Sequence, residues 1–396
     1  MSKPAHLVIV KHGELRNAYY RIKEQDRETF HFEKYVLEFY QELAEHCPVT
    51  VVSVNSPPHD EVLTPGLRSV GVDLRKQWKV EMKKLVGRLT ELSPTHMLVR
   101  NPLPEVIRFA INHNIRTLPF LADSFEKTAW RDKIKYYRLA RLLNSSKLEY
   151  VANHCVPACH SLSNIGVKAH KIVPWDFPPF PPVSDYTPKQ LTQNSQKRLF
   201  FAGSIVEAKG ILECIEAIGL LNQQGLDVTL TVAGKGRAQK RCKQLAESLN
   251  LSQKVDFLGQ VKHDEVIQFM RSHDAVFVPT RWEYSESGPM TLRETLLART
   301  PIIASDHPII RAQLQDGKNC LMFEAGNAEQ IAQKVQALLT DPMLYQRLSE
   351  NSEATLQRLN HPVRITEVIS RWFHNTPADQ AWLSGCTLDK FPAALH

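Results

Sequence analysis

The feature that most constrains this chain is a repeated alternation of short apolar runs with amphipathic stretches. Strand-like runs fall at His6–Val10, Val49–Val54, Thr95–Val99, Thr117–Leu121, Leu148–Ala152 and Lys171–Val173. They recur at Leu199–Ala202, Val228–Ala233, Val255–Leu258, Ala275–Pro279, Pro301–Ser305 and Leu321–Phe323. Between the first set, Phe32, Val36, Phe39 and Leu43 share one face at helical spacing, as do Met82, Leu85, Leu89 and Leu92, and Pro104–Asn114 reads as a helix opened by proline. Between the second set, Gly210–Asn222, Arg237–Leu249, Asp264–Ser272, Met290–Ala298 and Ala328–Leu339 read as helices. Strands that are apolar without alternation need cover on both faces, so the pattern predicts an α/β chain with parallel sheets between helices. Ligands of such sheets sit beyond the carboxyl ends of the strands, and chemistry is expected in those loops.

Composition bounds the rest. At about 150 residues per domain, 396 residues make two or three domains. With 43% hydrophobic and 23% charged residues the chain is neither disordered, nor collagen-like, nor a polytopic membrane protein. A net charge of +7 suits an anionic small ligand or an anionic membrane face, and is too dispersed to call for nucleic acid. The run Leu7–Val10 is too short for a signal sequence, no window approaches the roughly 18 apolar residues of a span, and seven scattered cysteines do not make a disulfide framework. The expectation is a cytoplasmic protein. Peripheral attachment at the inner face of a membrane stays open, and the basic stretch Arg131–Arg141 reads either as a solvated helix face or as a membrane-surface helix. Pro174, Pro178, Pro179, Pro181, Pro182 and Pro188 mark a hinge, because proline at this density suits neither a helix interior nor a central strand. The chain then divides into a domain at 1–175, a linker at 176–198, a second domain at 199–360 and a tail at 361–396.

Two motifs carry chemistry. In Phe200–Gly210 a buried strand ends at Gly203, and a short loop delivers Lys209 just before a helix. The loop reads either as a βα turn with a solvated lysine or as a phosphate cradle of ammonium and backbone amides. In Glu286–Glu294 two carboxylates lie eight positions apart around Gly288 and Pro289, where a loop becomes a helix. Glu286 stands in the loop and Glu294 inside the helix, and the amides of Gly288, Met290 and Thr291 suit an anion. The plainer reading is a first-turn acid on the helix dipole plus a solvated glutamate.

In order along the second half come Gly203-Ser204 with Lys209-Gly210, Gly234-Lys235-Gly236, Phe257-Leu258-Gly259, Pro279-Thr280, Glu286 with Glu294, Ala298-Arg299-Thr300-Pro301 and Gly317-Lys318-Asn319-Cys320-Leu321-Met322-Phe323. This series resembles the nucleotide-binding domain of retaining GT-B glycosyltransferases of family 4, over about Leu199–Leu339. The resemblance implies two Rossmann-like domains facing across a cleft. It implies transfer of a sugar from a nucleotide-diphosphate donor to a hydroxyl acceptor with retention of configuration; the acceptor is a glycan, a lipid or a small molecule. By the same resemblance Lys209 binds the donor diphosphate, Glu294 the ribose hydroxyls and Glu286 the donor sugar. Gly288, Met290 and Thr291 give backbone contacts, while Gly234–Arg237 and the turn Gly259–Val261 border the nucleobase. No cofactor or metal is implied, and the chain contains no Asp-x-Asp to hold one on a diphosphate.

Departures from the family pattern stand beside the matches. The family arginine that accompanies the lysine is Ser204, which cannot replace its charge, and Arg237 or Arg281 is the candidate substitute. The glycine of Ala-x-Gly-x-Pro is displaced or lost, with Arg299 nearest, and Pro289 supplies no N–H. In the first half Gly13 follows the first strand at the place of the family's glycine-rich loop near the donor phosphates. His12 is a candidate base there, and Asp123 reads as an acceptor contact or a loop acid. His154, Cys155, Cys159 and His160 lack zinc-site spacing. In the tail, Val363, Ile365, Val368, Ile369, Trp372 and Phe373 predict an apolar helix face, which packs on its own domain or, as in the family, returns to the first. A phosphorylase using pyridoxal phosphate on a lysine, which no residue here marks, a nucleotide-sugar epimerase and a non-catalytic partner subunit are the alternatives on the same fold.

Overall fold

The computed structural model describes residues 4–29, 31–74, 78–126, 130–181, 183 and 186–391. The chain forms two units, Met1–Pro178 together with His361–His396, and Pro179–Asn360. Each is built on its own sheet with helices on both faces.

The first sheet contains β1 (Leu7–Lys11), β2 (Val49–Ser53), β3 (His59–Thr64), β4 (Leu67–Gly71), β5 (His96–Val99), β6 (Arg116–Leu121), β7 (Val151–His154) and β8 (Ile172–Trp175). Their order is β3-β4-β2-β1-β5-β6-β7-β8, and only the β3/β4 pair is antiparallel. Leu7 to Val10 are fully buried, as a central strand covered on both faces requires. The hairpin β3–β4 is absent from the sequence reading. Its outer strand alternates half-buried and exposed residues, with Leu63 alone buried, so no continuous apolar run announces it. Its turn at Gly66 (φ 80°) lies so close to helix Glu33–His46 that a Cβ there would sit 2.2 Å from the Ala44 carbonyl oxygen.

Two features lie at the start of the stretch Pro174–Pro188, within which the chain passes from one unit to the other after Pro178. Pro174 lies inside β8, paired with Asn153, where an edge strand tolerates its missing N–H. Asp176, immediately after β8, is fully buried and receives the tail. Its N–H bonds the Val363 carbonyl, its carbonyl accepts from Ile365, and its carboxylate accepts from the N–H of Phe177 and His361 and lies 3.2 Å from His154 Nε2. The following helix Ile365–His374 buries Ile365, Val368, Ile369 and Trp372 within this unit. Arg116 stacks on the Trp372 ring at 5.1 Å and bonds the Asn375 side chain.

The second sheet contains β9 (Lys197–Ala202), β10 (Val228–Ala233), β11 (Val255–Gly259), β12 (Ala275–Val278), β13 (Ile302–Ser305) and β14 (Leu321–Phe323), all parallel in the order β11-β10-β9-β12-β13-β14. The chain winds outward from β9 to β11, returns to β12 beside β9, and winds the other way. The loops after β9 and β12 therefore part in opposite directions, and the crevice between them is where an open α/β sheet takes its ligand. No helix among the described residues is long and apolar enough to cross a membrane.

Candidate functional site

The crevice at the β9/β12 reversal is shaped by backbone. Gly203 (φ 151°) and Gly234 (φ 143°) end β9 and β10, and a Cβ on Gly234 would sit 1.9 Å from the Gly203 carbonyl oxygen. The two loops join through Ile205 N–H to Lys235 O (3.0 Å) and Ala238 N–H to Ile205 O (3.0 Å). On the other side, Arg281 N–H bonds Ala208 O at 2.9 Å. A Cβ on Gly210 (φ 73°) would meet the Pro279 carbonyl oxygen at 2.0 Å. Only glycine allows both that turn and that approach, so Gly210 presses the Lys209 turn against the end of β12.

This contact brings Lys209 to Glu286, 77 residues apart in sequence. The ammonium forms an ion pair with Glu286 Oε2 and lies 4.3 Å from the centre of the Tyr284 ring. Glu286 is buried, and its Oε2 accepts from Thr280 Oγ1 at 3.4 Å. The loop carrying it is held from below. Ser305 Oγ donates to Thr280 O at 2.6 Å, and His307, fully buried after β13, bonds Tyr284 O through Nε2 at 3.1 Å and accepts from Ile309 N–H through Nδ1. Burial pushes the His307 imidazole below its usual pKa, so it serves as a neutral strut. Trp282 Nε1 donates to Asp306 at 2.9 Å.

Gly288 and Pro289 are buried and lead into helix Met290–Leu297. Leu292 N–H returns to Pro289 O, while the amides of Met290 and Thr291 precede any helical acceptor. Thr291 Oγ1 donates to Ala202 O at 3.2 Å, tying the helix start to the end of β9. A positive helix end, an ammonium and a carboxylate thus occupy one crevice.

Glu294 lies deeper in the same helix, 6% exposed. Burial pushes its carboxyl up to about 7. Its neighbour is His263, the first residue of helix His263–Ser272, with Nδ1 3.6 Å from Oε1. Nothing in the sequence marked His263 or His307; each acquires its place from a separate βα loop. Gly259 (φ 73°) ends β11 and its carbonyl accepts from Gly234 N–H at 2.7 Å, so the two turns expected to border the nucleobase are joined. The Val261 side chain packs on the cluster around Phe200 and Met270. Ser204 is exposed. Gly13 and His12 belong to the first unit, in the turn after β1, where His12 N–H bonds Asn101 Oδ1 at 2.9 Å. Asp123 N–H is held by Asn153 Oδ1.

Of the two arginines considered as replacements for the missing family charge, Arg281 is committed elsewhere. It pairs with buried Glu213 of helix Ile211–Gln223 and lies 3.7 Å from Glu283. Arg237 is exposed on the β10 loop. Arg299 has φ 52°, in the left-handed region that favours glycine. Its guanidinium pairs with Glu353, and Ser349 Oγ bonds its carbonyl at 2.7 Å. Among the described residues no group of His, Cys, Asp and Glu is arranged to hold a metal.

Residues 184–355 match the family described as glycosyl transferases group 1. Among curated proteins, the alpha-D-kanosaminyltransferase of Streptomyces kanamyceticus is 28% identical over 154 residues, 39% of each chain. The chain spans about two fifths of the length of the curated relatives it matches first. Among solved structures, sucrose-phosphate synthase from Thermosynechococcus elongatus superposes with a TM-score of 0.67 at 15% identity, covering 94% of this chain and 98% of its own. Anabaena Alr3699/HepE in complex with UDP and glucose gives 0.67 at 14% identity, covering 94% and 100%. The second unit therefore contains a region that matches the glycosyl transferases group 1 family, and the chain has the GT-B fold of these solved structures.

Proposed function

We propose that the chain is a retaining, metal-independent hexosyltransferase of family 4, moving a sugar from a nucleotide-diphosphate donor to a hydroxyl acceptor. The observation that carries the reading is the meeting of Lys209, Glu286 and the amino end of helix Met290–Leu297 at the strand-order reversal of the second sheet. In this reading the diphosphate lies on the amides of Met290 and Thr291 and takes the Lys209 ammonium as counter-ion. Glu286, released to the sugar, orients the ring, and Glu294 accepts from the ribose hydroxyls. The bond from the anomeric carbon to the phosphate oxygen breaks, the acceptor oxygen takes its place, and the acceptor proton passes to the departing diphosphate. Charge stabilisation on that diphosphate is the main catalytic demand, and the ammonium and helix end supply it.

Ser204 favours one other reading, a non-catalytic partner subunit, because a phosphate-binding charge is missing beside Lys209. Thermal-shift titration with UDP, GDP and ADP and their sugars separates the two. Stabilisation by one base series, abolished in Lys209→Ala, supports the transferase. No response to any nucleotide supports the subunit. Conversion of a nucleotide sugar in the absence of acceptor would instead identify an epimerase.

A further inference from the structure

The loop from β12 to helix Met290–Leu297 is pinned at alternate residues by three successive residues at the end of β13. Ser305 Oγ donates to Thr280 O at 2.6 Å, Asp306 Oδ1 accepts from Trp282 Nε1 at 2.9 Å, and His307 Nε2 bonds Tyr284 O at 3.1 Å. Asp306 is itself fixed. Its N–H bonds Phe323 O at 2.8 Å, and the oxygen that holds the indole also accepts from Ala325 N–H at 2.9 Å. Trp282 is nonetheless 40% exposed. Single exposed aromatic residues are ordinary and turn freely in water. This one is a fixed plate: its only polar atom is already bonded, and its ring is left partly bare.

A second observation lies on the other side of Asp306. Past the end of β14 is a hollow of about 460 Å³, lined by Glu324, Ala325, Gly326, Asn327, Ala328 and Glu329. That volume falls within the range of small-molecule sites. Ala325 shares one Asp306 oxygen with the indole, so plate and hollow adjoin; the two nitrogens are no farther apart than two hydrogen bonds laid end to end. The polar side chains lining the hollow are two carboxylates and an amide, without a cation.

Strand order decides which part of a ligand reaches this edge. On the proposed transfer reading, on which this inference rests, the base lies by the turns after β10 and β11, the diphosphate at β9 and β12, and the donor sugar at Glu286 after β12. The order β11-β10-β9-β12-β13-β14 continues in the same direction to the hollow. At about 4.8 Å between neighbouring strands, β14 ends roughly 10 Å beyond β12, room for one further sugar ring.

We propose that Trp282 and the hollow after β14 bind a neutral pyranose ring of the acceptor, which makes the acceptor a glycan or glycoside. The slightly positive C–H groups of one ring face lie on the negative face of the indole, and ring hydroxyls donate to Glu324 and Glu329. Because the plate is held before the sugar arrives, little ordering is lost on binding. A uronate or a phosphosugar would set its charge against those two carboxylates. An acyl chain would take them out of water unpaired.

The test is saturation-transfer NMR of the full chain with methyl α-D-glucopyranoside, methyl α-D-galactopyranoside, methyl α-D-mannopyranoside and methyl α-D-glucuronide, beside calorimetric titration with UDP, GDP and ADP. At least one neutral glycoside is expected to bind, and the glucuronide is not. Trp282→Ala should weaken that binding about ten-fold or more with nucleotide affinity unchanged. Trp282→Phe, which keeps a ring but not the indole N–H, should restore most of it. Glu324→Gln/Glu329→Gln should admit the glucuronide. Nucleotide binding without binding of any neutral glycoside overturns the proposal and leaves the transfer reading standing. So does glycoside binding that survives Trp282→Ala, that is lost equally in Trp282→Phe, or that favours the glucuronide in wild type. Glycoside binding through Trp282 with no response to any nucleotide removes the transfer reading, and the acceptor assignment falls with it.

Discussion

Glu294→Gln is the most informative substitution in the second unit, because burial moves the carboxyl from 4.5 to about 7. At about 1.4 kcal/mol per pH unit the shift corresponds to roughly 3 kcal/mol. Between those pH values the native state keeps a proton that the unfolded chain has released. Stability therefore falls as pH rises through this window, and the whole penalty is present above about 7. Glutamine is neutral at every pH and nearly the same shape. Wild type and variant should melt together near pH 4, and the variant should be the more stable above 7. At about 2–4 °C per kcal/mol for a domain of this size, the gap should approach roughly 6–12 °C. Calorimetric scans of the unliganded protein across that range measure it. His263, with Nδ1 3.6 Å from the carboxylate, is the titratable neighbour, so the same pair is scanned in a His263→Ala background. A gap independent of pH, or a wild type that gains on the variant as pH rises, would refute the argument from burial. If ribose hydroxyls donate to this group, nucleotide affinity should rise with pH over the same window in wild type and stay level in the variant.

Lys209→Ala leaves Glu286 buried without its cation, so it should cost about 1–3 kcal/mol of stability and, by calorimetric titration, weaken nucleoside diphosphate binding at least ten-fold. Gly210→Ala combines φ 73° with a clash at 2.0 Å on the Pro279 carbonyl oxygen. It should destabilise by more than about 2 kcal/mol and loosen the Lys209 turn, seen as a lower melting temperature and faster amide exchange around Ala208 and Arg281. Asp176→Ala removes the carboxylate that accepts from Phe177 and His361. The tail from His361 should become sensitive to limited proteolysis, with about 2–4 kcal/mol lost in the first unit.

Legibility from sequence followed burial. β1, β9 and β12 sit in sheet interiors, need apolar residues on both faces, and stood out as continuous runs. β3 is the edge strand of its sheet and alternates half-buried with exposed residues, so no continuous apolar run marks it. β8 accepted Pro174 for the same reason: an edge strand bonds on one side only. The ordered glycines of the second half are legible because glycine is demanded locally, by positive φ at Gly210 and Gly259.

What the amino-acid order determined by itself was therefore local: strand and helix identity, turn chemistry, and the phase of each apolar face. These depend on side chains a few residues apart. Which charges meet was decided only by the sheet, because a parallel connection brings distant loops to one end. Lys209 finds Glu286, Arg281 pairs with Glu213, and Glu294 settles beside His263. Such pairings depend on strand order, which no short-range pattern encodes, and they fix the electrostatics of the crevice.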